Sequence, residues 1–328
     1  MILPYSVRFV CLCLEMFFLV NLTASFLVLG LSGTVAKAAS RTHPQRAALW
    51  FLGLRLLPFT FSLLVIVILC VPSYLRYEQN TGSEDMGLFC IVAAVMGLGL
   101  LLTSAVRSTF ALAQSYRMSR GTRRIQLPRL AGVEVCVIEG DTCAPLMALV
   151  GIFRPRLLVS RRLLQVLTTS QLEAALRHER AHLLSRDNLK RLLMAVTPGI
   201  VPSVIPFKCG LAAVEAHWER FAELAADDYA AGGRADHSIA LAETLVKVAR
   251  LGNFERPMPL ASSLSATNQQ LALRVDRLMS VPSAAPLKKS RGPLALKYLL
   301  LPTGMMGLLV VLPKIYHPLY QLLESLLH

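Results

Sequence analysis

The chain has 328 residues, 54% of them hydrophobic and only 16% charged, and its mean hydropathy is +0.53. That is too apolar for a pair of ordinary soluble domains and points to a membrane protein. The formal charge of +14 does not mark a nucleic-acid surface, because the basic residues flank apolar spans and no aromatics interleave with them as base stacking requires.

In chain order, the first expected element is the apolar run from Phe9 to Leu31, long enough to cross a hydrocarbon core of about 30 Å. It exceeds the apolar region of a signal peptide and reads as a retained anchor. Glu15 lies within it, in either a paired or a shallow interfacial position. Ser32 to Ala48 is polar, with Lys37, Arg41 and Arg46 and no acid. A second span is expected over Leu49 to Leu75, with Arg55 near enough to one end to snorkel and Pro58 as a kink. Arg76, Glu78, Glu84 and Asp85 occupy the next loop, and a third span covers Gly87 to Ala105. Arg107, Arg117, Arg120, Arg123, Arg124 and Arg129 follow without an acid.

The positive-inside bias then places Ser32 to Ala48 and everything after Arg107 in the cytoplasm, with the amino terminus outside. A fourth span, about Tyr298 to Leu312, follows Lys288, Lys289, Arg291 and Lys297 and puts the carboxyl terminus outside as well. Residues 318–328 read as a short amphipathic tail with no room for a sensor domain. The expected fold is an α-helical membrane protein of about four spans with an inserted α+β domain. Its segments are 1–106 (three spans), 107–129 (basic linker), 130–283 (inserted domain), 284–317 (basic flank and fourth span) and 318–328. The seven cysteines include no C-x-x-C pair and read mostly as small buried apolar residues, with Cys70 and Cys90 the pair considered for a disulfide.

The polar domain opens with Val133 to Ile138, an alternating strand pattern, and two further strands are expected at Leu146 to Ile152 and Arg156 to Val159. A sheet edge there offers a place to bind an extended peptide. Next comes a helical run from Ser170 to Met194 that contains His178-Glu179-Arg180-Ala181-His182. Residues four apart share a helix face, about 6 Å from one another, so both imidazoles can reach one Zn²⁺ with Glu179 beside them. Leu192 to Phe207 is apolar but broken by Pro198, Pro202 and Pro206; it is either a membrane-touching segment or a buried loop.

Glu215 to Ala231 forms a second helical run, closed by Gly232-Gly233. Glu223 and Asp227 share one of its faces. A catalytic zinc site needs a third protein ligand, and Glu223 completes a His₂Glu set, while Asp227 can accept the free ring N–H of a ligating histidine.

His178 to His182, the following Arg186-Asp187, the Glu223-Leu224-Ala225-Ala226-Asp227 run, the preceding Gly151 to Pro155, and Arg274 with Leu278 together resemble the BlaR/MecR family of membrane metallopeptidases, the antirepressor proteases of beta-lactam signalling. The resemblance implies that His178, His182 and Glu223 bind zinc, that Glu179 is the general base, and that Asp227 and Asp187 orient the ligands from behind. It implies that residues 130–283 form a zincin-like metalloprotease domain on the cytoplasmic side of a multi-pass inner-membrane endopeptidase, which cleaves itself or a transcriptional repressor. Two departures stand out: Arg180 occupies a position that is usually aliphatic, and the sensor domain is missing. Two other readings fit the same residues: a quality-control protease resembling the HtpX-like group, and a non-catalytic membrane transducer. Gly252 to Asn268, polar and carrying Pro257 and Pro259, is the expected place for self-cleavage.

Overall fold

The computed structural model describes residues 4–77, 87–120, 126–130, 133–138, 147–152, 155–199, 211–251, 261–263 and 268–280. The fourth expected span and the amphipathic tail lie outside these residues. Among the described residues, three helices are long and apolar enough to cross a membrane. The first, α1, runs from Tyr5 to Ala39. The second starts as α2 (Pro44–Val65), passes through a π-helical turn at Ile66–Cys70 and continues as α3 (Val71–Tyr77). The third, α4 (Leu88–Arg120), extends well past the apolar stretch that predicted it. Its last turns read Ala-Leu-Ala-Gln-Ser-Tyr-Arg-Met-Ser-Arg, residues that are mostly good helix formers once outside the bilayer.

Helix α1 touches both α2 and α4. Gly97 lets α4 sit directly on the backbone of α1, since a Cβ there would run into the carbonyl of Leu14. Backbone cannot swing aside as a side chain can, so Gly97→Val should force the two helices apart. The expected result is a destabilisation of about 1–3 kcal/mol by overpacking, read as a lowered unfolding midpoint in detergent. Glu15 is buried inside the bundle. The sulfur of Cys70 lies 4.0 Å from that of Cys13. Cys70 and Cys90 are both free thiols, so the disulfide considered between them is not formed.

The polar part is built on a five-stranded sheet in the order β1-β2-β4-β3-β5: β1 Gln126–Leu130, β2 Val133–Ile138, β3 Met147–Val150, β4 Arg156–Ser160 and β5 Ala261–Ser263. The β2–β4 pair is parallel and the others antiparallel. Strands β2, β3 and β4 begin and end within a residue or two of the sequence expectation. The presence of β5 within the segment read as a loop, Gly252 to Asn268, was not expected: Ala-Ser-Ser has no strand periodicity of its own and takes its conformation from pairing with β3.

Six helices complete the structure: α5 (Arg161–Val166), α6 (Thr169–Ser185), α7 (Asp187–Val196), α8 (Leu211–Ala231), α9 (Ala235–Arg250) and α10 (Asn268–Met279). Two cores divide them. Val135, Met147, Leu157 and Val159 of the sheet share one core with Ala174 and Ala175 of α6 and Leu241 and Leu245 of α9. Val214, Trp218 and Phe221 of α8 instead share a core with Val28 and Ala39 of α1, Phe51 of α2 and Met194 of α7. Helix α6 therefore belongs to the sheet core, whereas α8 joins both: its first half packs on the membrane helices and Ala230 and Ala231 at its end enter the sheet core.

Candidate metal centre

Helix α6 begins with a capping box: the Thr168 side chain accepts from the Gln171 backbone N–H, and the Gln171 side chain accepts from Thr168 N–H. This satisfies two donors that a helix start leaves orphaned. From that fixed start, His178, Glu179 and His182 fall on the inner side of the helix, and each is at most 2% exposed. Arg180 points outward and is exposed, so its unusual residue type does not disturb the site.

The expected single helix from Ser170 to Met194 is in fact two. Arg186 adopts a left-handed conformation, φ 53° and ψ 44°, which ends α6 and starts α7. In an unbroken helix, a residue five positions after His182 would point well away from it at 100° per residue. The break brings Asp187 back instead, and His182 Nδ1 donates to Asp187 Oδ2 at 2.7 Å. Lys190 Nζ donates to the other carboxylate oxygen at 2.7 Å. Burial alone would raise the Asp187 pKa, but His182 and Lys190 outweigh it and hold the group below its ordinary value. Asn188, which the sequence reading did not single out, donates to the carbonyls of Leu149 and Gly151 at 2.9 and 3.0 Å and pins the start of α7 to β3.

Helix α8 supplies the facing group. His178 Nε2 lies 3.2 Å from His182 Nε2 and 3.4 Å from Glu223 Oε2, and His182 Nε2 lies 3.5 Å from Glu223 Oε1. Zinc bonds of roughly 2.0–2.2 Å place tetrahedral neighbours about 3.3–3.5 Å apart. The two ring nitrogens stand close to that separation, and each faces a different oxygen of the Glu223 carboxylate at about the same distance. Both ring Nδ1 atoms are turned to carboxylates, His178 lying 3.0 Å from Asp227 Oδ1. That leaves the Nε2 lone pairs for a metal.

Arg274 of α10 ties the carboxylates together. It donates twice to Asp227, at 2.8 and 2.7 Å, and its Nη1 lies 3.0 Å from Glu223 Oε2. Burial would push Glu223 and Asp227 up, yet Arg274 and the histidines hold both carboxyls well below the usual range. Burial would likewise push His178 down, but Asp227 and Glu223 raise it to about 9. A metal binding here would displace the His178 proton, and the donor set is then two imidazoles and an ionised carboxylate, a combination suited to Zn²⁺ with a fourth position left over. Glu223 is 12% exposed where the two histidines are at most 1%. It lines a cavity of about 240 Å³ whose other walls include Ala36, Ser40 and Pro44 of the α1–α2 turn and Leu273 of α10. A second cavity, of about 360 Å³, touches the other side at His182 and Ile152.

Residues 118–280 match the model of Peptidase family M48. That match covers just under half of the chain. No curated protein matches it significantly. The M48 stretch includes both α6 and α8, and with them His178, His182 and Glu223, which offer one donor atom each within 4.8 Å of one another. The match to a peptidase family and the three apolar helices beside it fit a membrane-associated metallopeptidase. His217 stacks on Phe51 with ring centroids 4.9 Å apart, and Arg274 is committed to Asp227 and Glu223.

Proposed function

We propose that the protein is a zinc-dependent endopeptidase that cuts peptide bonds at the cytoplasmic face of the membrane, with itself or a regulatory protein such as a transcriptional repressor as substrate. The observation that carries this reading is the spacing of His178 Nε2, His182 Nε2 and Glu223. A zinc ion held there would supply Lewis acidity toward water and a scissile carbonyl. Glu179, buried next to the ligands, takes the proton of the attacking water and delivers it to the leaving amide nitrogen. Asp187 and Asp227 fix the histidine tautomers, and Arg274 keeps Asp227 and Glu223 ionised.

The cytoplasmic placement is supported by the turn between α1 and α2. This turn carries Arg41 and adjoins Arg46 of α2, and Ser40 and Thr42 within it line the cavity at Glu223. The basic turn and the site therefore lie at one end of the bundle, the end that the positive-inside bias assigns to the cytoplasm. Self-cleavage is supported by β5. Ala261–Ser263 pairs antiparallel with β3 next to α6, the manner in which an extended peptide adds to a sheet edge.

Glu223→Ala should lower the zinc content of the purified protein, and an unchanged stoichiometry would refute its role as ligand. Substrate identity is tested by mass spectrometry of cells carrying wild-type or Glu179→Gln protein. One or two proteins, this chain among them, should lose their cleaved forms in the variant. Loss of cleavage across many misfolded membrane proteins would favour the quality-control reading instead.

A further inference from the structure

Arg55 sits inside a membrane-spanning helix, where a snorkelling side chain would reach for the interface. It turns inward instead and is 1% exposed. Its Nε donates to Glu215 Oε1 at 2.6 Å, its Nη1 to Thr197 Oγ1 at 2.9 Å, and its Nη2 to the carbonyls of Met194 and Thr197 at 2.9 and 3.1 Å. One side chain of α2 thus grips α8 and the end of α7 together.

These are the two helices that frame the metal site from the membrane side. Glu215 stands two turns before Glu223, about 12 Å along α8. Asp187, at the far end of the ten-residue α7, holds His182 at 2.7 Å. Phe51, one turn before Arg55 on the same face, stacks on His217 and Phe221 of α8 with centroids 4.9 and 5.6 Å apart. The end of α7 is held a second time from the bundle, where Ser104 of α4 donates to the carbonyls of Ala195 and Val196. A buried guanidinium is costly once it loses its partners, so α7 and α8 cannot separate at this joint without a penalty. His178 and His182, by contrast, ride on α6 and the sheet core.

We propose that Arg55 is a positioning residue that sets the separation between Glu223 and His182, so that the pose of α2 in the membrane determines whether the three ligand atoms stand at metal-binding spacing. The inference rests on the zinc reading above. It makes the second membrane helix the element through which an event in the bilayer reaches the site. Arg55 touches none of the ligands, and its effect passes through Glu215 and α8 on one side and through Thr197 and α7 on the other.

The test uses the full-length protein in detergent, with zinc affinity measured by chelator competition and the visible absorption spectrum recorded for the Co²⁺-loaded form. Arg55→Met should keep the helical circular dichroism yet weaken zinc binding at least tenfold, the scale on which supporting partners act on metal affinity. It should also reduce the tetrahedral Co²⁺ absorption. Glu215→Leu should do the same, and the double variant should be no worse than either single one. Arg55→Lys keeps the charge but cannot span both helices; if the Met variant does not fold, this one carries the test, with zinc binding weakened at least threefold. Wild-type zinc affinity and an unchanged Co²⁺ spectrum in the Arg55 variants would overturn this inference while leaving the zinc site standing. A wild-type protein that takes up neither ion would overturn the zinc reading and this inference with it.

Discussion

Glu179→Gln is expected to bind zinc like the wild type and to lose peptide cleavage by about 10²–10⁴-fold, the usual contribution of a general base. The amide has the shape of the carboxylate but cannot take a proton from water. The spacing of His178, His182 and Glu223 does not depend on it, since each is held by its own partner: Asp227, Asp187 and Arg274 respectively. The two halves of the prediction are read separately, by elemental analysis and by peptide hydrolysis. Cleavage at the wild-type rate would remove Glu179 from the mechanism, and loss of zinc along with activity would make it a structural residue.

The second large effect belongs to Asp227, which accepts two hydrogen bonds from Arg274 and lies 3.0 Å from His178 Nδ1. Asp227→Ala leaves a guanidinium that is only 3% exposed with Glu223 as its remaining ionic partner. Breaking a buried pair from one side costs about 3–5 kcal/mol, and zinc affinity should fall by about 10–100-fold as His178 loses its orienting group. Replacing the pair together separates the two effects. Asp227→Leu with Arg274→Met removes both buried charges, so most of the stability should return while zinc affinity stays low. Thermal unfolding in detergent with and without zinc measures both, and a loss below about 1 kcal/mol for Asp227→Ala would show that the pair is not a support of the fold.

The grouping of these side chains was legible in the sequence because helix geometry converts spacing into a shared face: His178 with His182, and Glu223 with Asp227, each four residues apart. What joins the two helices was not legible. Arg186 is neither glycine nor proline, so nothing in the run from Ser170 to Met194 announced the left-handed residue that brings Asp187 to His182. Arg274 is 47 residues from Asp227 in the chain, a separation that no local periodicity bridges. Arg55 looked like a snorkelling arginine because its partners Glu215, Thr197 and Met194 lie some 140 to 160 residues away. The same limit applies to β5, whose three small residues acquire strand geometry only by pairing with β3. The apolar spans were plain from composition, but where α4 ends was not. Hydropathy marks the part of a helix that is in lipid, and the helix continues into water to Arg120.

The most direct test of the zinc-peptidase account is metal titration of the purified full-length protein after chelator stripping, with cleavage of a peptide library and of the chain itself as the readout. The account predicts that cleavage disappears on stripping and returns with one equivalent of Zn²⁺ in the wild type, but not in Glu179→Gln. Cleavage that survives stripping, or one bound zinc with no cleavage of any peptide or of the chain itself, would contradict it.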